Sequence, residues 1–230
     1  MICLAADAGT GTSSVAASLA LLAAQRGARR VWLQELALGR NALYRALSDT
    51  PFGGVGPPGL AYRGASPGSA PFVRRSQGGG KASAPLADEA GLLCVHPIGD
   101  TRAVVSRLRT ESLAPGERIA YRHDPAWWRQ TRALADWILV DAPDTACSDA
   151  AFAALPEADA VLVVARADYT RCDQLRTLTA TLREAGAPLL GLVVNAVAPD
   201  ALRLSGQSEA APRRRTPQAG QGVPIDPPAP

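Results

Sequence analysis

Short, mostly apolar runs alternating with helix-patterned stretches constrain this chain more than any other feature of its sequence. Runs at residues 1–5, 31–35, 92–95, 137–140, 160–165 and 189–194 read as strands. Most are continuous rather than alternating, the pattern of strands buried on both faces of a parallel sheet. Helical spacing appears at residues 15–26, 125–134, 149–154 and 172–184. In the first of these, Val15, Leu19, Leu22 and Ala23 form the apolar stripe and Gly27 ends it. The region after Val95 reads as polar helix to about Arg109. The fold class expected is α/β: a doubly wound, mainly parallel sheet with helices on both faces.

Two regions break the pattern. From about Ser48 to Asp88, six prolines interleave with glycines, including Gly78-Gly79-Gly80. Residues 51–88 are therefore expected to be a long surface loop with at most one short helix. From about Leu204 to Pro230 the chain is Pro, Gly, Ser, Gln and Arg with almost no large apolar side chain. Such a stretch buries too little surface to offset its ordering entropy, so a disordered tail is expected. The rest, residues 1–203, makes one domain.

The loop after the first strand carries the candidate chemistry. Asp7-Ala8-Gly9-Thr10-Gly11-Thr12-Ser13-Ser14 joins a strand to a helix. Gly9 and Gly11 let backbone N–H groups turn toward a phosphate at the helix N-terminus. Ser13 and Ser14 supply hydroxyls for a helix cap or a Mg²⁺ ion. A phosphate loop of this kind also carries a lysine just after its last glycine, and that position is Thr12. Of 24 basic residues only Lys81 is a lysine. It follows Gly78-Gly79-Gly80 with no strand before it and no helical pattern after it, so it reads as a solvated linker residue.

Over most of residues 1–200 the chain resembles the MinD/ParA-type deviant P-loop ATPases, and more narrowly the cytoplasmic ATPase domain of bacterial capsule and exopolysaccharide tyrosine kinases. The residues carrying the resemblance are the 31–40 segment, where that family has a hydrophobic strand followed by D-x-D-x-R, and Asp136-Trp137-Ile138-Leu139-Val140-Asp141-Ala142-Pro143, which is similar to its D-x-x-x-x-D-x-P strand. Ser148-Asp149-Ala150, the 158–164 segment, Thr170-Arg171 and Leu190–Asn195 follow in the family's order. The resemblance implies a nucleotide held by Gly9, Thr10, Gly11, Thr12, Ser13, Ser14 and Asn195, with Asn195 near the adenine base. It implies Mg²⁺ held through Ser13 and, indirectly, Asp141. Asp7, Glu35, Asp136 and Pro143 occupy further motif positions.

The departures carry as much meaning. The family's nucleotide-contacting lysine is Thr12 here, its second lysine is Asp7, and its second carboxylate after strand 2 is Ala37, while Glu35 keeps the first in kind. Each cation about 5 Å from a phosphate charge, at an effective dielectric near 20, would contribute roughly 3 kcal/mol. Their loss implies a site that could still hold ATP or ADP with Mg²⁺, or hold no cofactor, but that is poor at stabilising a transferring phosphoryl group. No catalytic residue is assigned. Kinase activity is disfavoured a second time because the last part of the chain has no tyrosine.

The function that the resemblance implies is a degenerate P-loop protein regulating or scaffolding exopolysaccharide assembly. A slow ATPase or kinase-like subunit of the same pathway, and a MinD-like positioning factor, are the alternatives. The partner implied is an inner-membrane polysaccharide co-polymerase or assembly protein, with a homodimer as a further expectation and no nucleic acid. The start of the chain has no basic region before its apolar run and no run spans a membrane, so a cytoplasmic protein reaching the inner membrane through a partner is expected. The four cysteines form no C-x-x-C, and His96 and His123 lack metal-ligand spacing, so structural roles are expected for both sets. Of Trp127 and Trp128, one ring is expected on the sheet and the other exposed. Arg213-Arg214-Arg215 reads as a solubilising cluster.

Overall fold

The computed structural model describes residues 1–27, 29–49, 55–62, 70–76, 89–145 and 149–198. Met1–Val197 form one compact unit. Along the chain lie β1 (Ile2–Ala5), α1 (Thr12–Gly27), β2 (Val31–Glu35), α2 (Ala42–Asp49), β3 (Phe72–Ser76), β4 (Leu93–Pro97), β5 (Ala103–Leu108), β6 (Glu117–Tyr121), α3 (Pro125–Leu134), β7 (Trp137–Ala142), α4 (Ala150–Ala154), β8 (Val161–Arg166), α5 (Cys172–Glu184) and β9 (Leu189–Asn195). Seven strands form one sheet in the order β4-β5-β2-β7-β1-β8-β9. Every neighbouring pair is parallel except β4 with β5. This is the α/β, mainly parallel architecture that the continuous apolar strands predict.

Helices cover both faces. On one, Ala16, Ala17, Ala20, Leu21 and Ala24 of α1 and Leu43 and Leu47 of α2 pack on Cys3, Val31, Leu33, Leu139 and Leu162. On the other, Trp127 and Trp128 of α3, Ala150, Ala151 and Ala154 of α4, and Leu178 and Leu182 of α5 pack on Ile2, Leu4, Val140, Val161 and Val163. The buried stripe of α1 is not the expected one. Leu22 is exposed, and Val15, Leu19 and Ala23 lie at the flank. Its alanines face the sheet instead, because a helix seated over the sheet's centre needs small side chains beneath it.

Four differences from the sequence reading have physical reasons. The expected polar helix ending near Arg109 is strand β5, which pairs antiparallel with β4 from Leu93↔Leu108 to Pro97↔Val104. A tight turn joins them: Gly99 takes φ +50°, and the Thr101 hydroxyl donates to the Ile98 carbonyl and accepts from the Ala103 N–H. The polar Ser106 of β5 is buried and accepts from Trp32 Nε1 at 2.6 Å, so its polarity is met inside the sheet and not on the solvent face of a helix. Within the expected 51–88 loop, β3 pairs antiparallel with β6 and buries Phe72. Helix α2 went unread because only Leu43 and Leu47 of its residues are buried.

The fourth concerns the tryptophans. Both rings are buried; Trp127 meets Trp32 edge-on at 6.4 Å and Trp128 at 4.7 Å. The Asp124 side chain accepts from the Ala126 and Trp127 N–H groups and Pro125 opens the helix, which fixes where the pair enters the core. The expectations for Gly78–Gly80, Lys81, Cys147, Ser148 and the tail, Arg213–Arg215 included, fall outside the described residues.

Candidate functional site

Strands β1, β2 and β7 are neighbours at the centre of the sheet, and all three end at the same side. The chain leaves β1 toward β2 on one side and later returns to β8 on the other, so a crevice opens beyond the carboxyl ends of these strands. A cleft of about 410 Å³ occupies this place, within the usual range of small-molecule sites, roughly 300–1,000 Å³. Asp7 to Ser13 forms one wall, Asp141 to Asp144 the floor, and Glu35, Ala37, Arg40 and Ala42 the other wall.

The loop follows the path its glycines predict. Gly9 and Gly11 take φ of +76° and +80°, where an L side chain is strained. The Val15 N–H donates to the Gly11 carbonyl at 3.1 Å, so helix α1 begins immediately after Gly11 and its N-terminus borders the cleft. Ser13 and Ser14 therefore lie within the first turn rather than at the cap, a correction to the sequence reading. Ser14 is exposed and does not line the cleft. The Ser13 hydroxyl donates to Asp141 Oδ2 at 2.6 Å, bringing together the two groups expected to share a magnesium ion.

Thr12 faces inward. It is 5% exposed, and its hydroxyl lies 2.9 Å from that of Thr10. The two hydroxyls satisfy each other inside the loop, where an extended ammonium would otherwise reach the cleft. Asn195, at the end of β9, donates from Nδ2 to the Thr10 carbonyl at 2.8 Å. A Cβ on Gly11 would collide with that same amide. The side chain expected near a base is thus the clamp of the loop backbone.

Two carboxylates stand side by side on neighbouring strands, since Glu35 and Asp141 are partners in the β2–β7 register. Burial raises Glu35 to about 7; its bond from the Leu43 N–H opposes this and the neighbouring Asp141 charge adds to it. Burial likewise raises Asp141 to about 6, opposed by the bond from Ser13. Burial thus holds both carboxyls above the usual carboxylate range. Glu35 also caps α2, accepting from the Leu43 N–H at 3.2 Å.

Asp7 has one carboxylate oxygen buried without a hydrogen-bond partner, and it lines both this cleft and an adjoining hollow of about 750 Å³ beside α5. Pro143 lines the cleft floor. Asp136 is not brought to the site. It sits at the far end of β7 and pairs with Arg30 at 3.1 Å, outside the cleft. Sequence reasoning missed Arg40 and Asp144 as lining groups. Arg40 is the only basic side chain among the described residues lining the cleft. His96 donates from Nδ1 to the Gly59 carbonyl at 2.8 Å with its ring tilted against Tyr44, and His123 Nε2 lies 3.0 Å from Glu157 Oε1, so neither reaches the cleft. Among the described residues no three or more His, Cys, Asp or Glu side chains are grouped to hold a metal ion, and no helix is long and apolar enough to cross a membrane.

No protein-family profile matches the chain, and no curated protein matches its sequence. Solved structures do match in fold. The kinase domain of VpsO superposes with a TM-score of 0.54 at 15% identity, covering 86% of this chain and 84% of that one. The BceF tyrosine kinase domain gives 0.51 at 18%, covering 86% and 68%. The MinC:MinD cell division complex of Aquifex aeolicus gives 0.54 at 14%, covering 88% and 71%. The chain has the mainly parallel α/β fold that these kinase domains and MinD share.

Proposed function

We propose that this chain is a degenerate P-loop protein that holds a nucleoside di- or triphosphate with Mg²⁺ and regulates or scaffolds exopolysaccharide assembly without efficient ATP hydrolysis. One observation carries the nucleotide part. The loop keeps its two positive-φ glycines and its Ser13–Asp141 contact, while the lysine position is a buried threonine closed on Thr10. Backbone N–H groups and a magnesium ion suffice to hold a diphosphate weakly. The charge that builds on a transferring phosphoryl group needs cations that Thr12 and Asp7 do not supply. Residues Gly9 to Ser13 would hold the phosphates, and Ser13 with Asp141 the metal.

The polysaccharide setting rests on the resemblance of the 136–143 strand and the segments after it to the tyrosine kinase group, supported by the fold of the VpsO and BceF kinase domains. The partner that fits is an inner-membrane co-polymerase or assembly protein, with the chain on the cytoplasmic side. Titration calorimetry with ADP and ATP should show Mg²⁺-dependent binding, and a phosphate-release assay should stay at background. Steady turnover abolished by Asp141→Ala would make the chain a slow ATPase instead. Absence of any nucleotide binding would overturn the reading altogether.

A further inference from the structure

The phosphate loop brings no cation to the cleft, yet the cleft is not without one. Asp7, Glu35, Asp141 and Asp144 all line it, and Arg40 is the single basic side chain that does so among the described residues. An anionic ligand entering here meets four acids, two of them held above the usual carboxylate range, and one guanidinium.

The placement of Arg40 is built rather than incidental. It ends a tight turn in which its own N–H donates to the Ala37 carbonyl at 3.1 Å. The residues on either side, Gly39 and Asn41, take φ of +93° and +50°. Asn41 holds its unusual backbone because its buried side chain is tied twice to one residue of β5: Nδ2 donates to the Leu108 carbonyl and Oδ1 accepts the Leu108 N–H, each at 2.8 Å. This paired clamp fixes the turn against the sheet. Arg40 is thereby presented across the cleft from Gly9 to Ser13, and its charge is felt by Glu35. Arg40 is exposed to solvent at the cleft.

We infer that Arg40, presented by the locked β2–α2 turn, is the phosphate-binding cation of this cleft, supplied from the wall opposite the loop that lacks its lysine. The inference rests on the nucleotide reading above. A fork of N–H donors matches phosphate oxygens in pairs. From the second wall it would engage the terminal phosphate across the ligand. A triphosphate should therefore depend on it more than a diphosphate.

Calorimetric titration of ADP and ATP with Mg²⁺ into the full chain, its Arg40→Ala and Arg40→Lys variants, and the control Arg45→Ala tests this. Arg45 lies one turn along α2, is exposed and does not line the cleft. Arg40→Ala should weaken ATP about tenfold or more, ADP less, and the difference should shrink at high salt. Arg40→Lys should recover part of the loss, and Arg45→Ala should match wild type. Equal binding by wild type and Arg40→Ala, with Gly11→Val still abolishing it, would overturn the role of Arg40 and leave the nucleotide site standing. No binding by the wild type would instead overturn the site and this inference with it. Circular dichroism of each variant separates a lost contact from a lost fold.

Discussion

The loop from β1 to α1 and the turn from β2 to α2 leave the same end of the sheet and face each other across one cleft, but they are built in opposite ways. The first is shaped by glycine. Gly9 and Gly11 give it positive φ, a borrowed side chain, Asn195, clamps it, and its two threonines close on each other. It offers backbone N–H groups and hydroxyls and no positive side chain. The second is shaped by asparagine. Asn41 bridges to Leu108, Glu35 caps the helix that follows, and Arg40 stands between them. In an ordinary phosphate loop, geometry and charge reside in one segment. Here the positive-φ glycines lie in the first turn, and the one basic side chain lining the cleft among the described residues lies in the second.

The most severe way to break the first turn is Gly11→Val. Its side chain would meet the Asn195 amide, dislodge the bond to the Thr10 carbonyl, and hold a β-branched residue at φ +80°. Together these should cost about 3 kcal/mol or more of stability and abolish nucleotide binding. A thermal melt and a calorimetric titration would measure both. A variant that binds like wild type would place the ligand elsewhere.

The paired carboxylates at the ends of β2 and β7 give the next effect. Glu35 is raised by burial to about 7, so the folded state holds its proton more tightly than the unfolded chain does. Stability from this group is intact below pH 4.5 and declines as pH rises toward 7. With a shift of this size the loss is roughly 3 kcal/mol. Glu35→Gln keeps an oxygen for the Leu43 N–H and removes the ionisation. It should raise the melting temperature at pH 8 and leave it near wild type at pH 4. Asp141, raised to about 6, and the nearby Arg40 shape the same pH range. Double variants with each should therefore depart from additivity.

The second turn should yield to Asn41→Ala. Two hydrogen bonds to a buried backbone residue would be lost, and an alanine would remain at φ +50°. About 2 kcal/mol of destabilisation is expected, with weaker ATP binding through a loosened Arg40. Urea unfolding would read the first and titration the second.

The smallest change puts charge back in the first turn. Thr12→Lys opens the Thr10 contact and adds an ammonium at the loop. An ATP affinity gain of about tenfold is expected, equal to roughly 1.4 kcal/mol. If Arg40 already holds the terminal phosphate, the gain should be larger in an Arg40→Ala background than in wild type. Equal gains in both would mean that the two walls act independently.

How much of this was legible depends on where each signal lies along the chain. The parallel core was plain, because β1, β2, β7 and β8 are buried strands whose apolar runs have no other use. The loop was plain for the same reason, since positive φ selects glycine and Gly9 and Gly11 stand at the right spacing. Strand β4 was read from its 92–95 run, but β5 and the β3–β6 pair were not, because their polar residues interrupt the apolar pattern and resemble loop or helix in a single sequence. Helix α1 was found but rotated: which stripe faces the sheet is decided by how closely it must approach, and leucines at its flank outweighed the alanines beneath it.

The sequence by itself determined the α/β class, the course of the glycine loop after β1 and the absence of lysine from it, because backbone conformation and side-chain charge are local properties of the residues present. It did not determine that Asn195 would clamp the loop, 185 positions away from Thr10. It did not place Glu35 beside Asp141, or Arg40 at the cleft while Asp136 went to the far end of its strand. These follow from strand order and register, and only packing of the whole sheet decides them. The charge of the site is a sum over several elements, so it exists only once those elements are assembled.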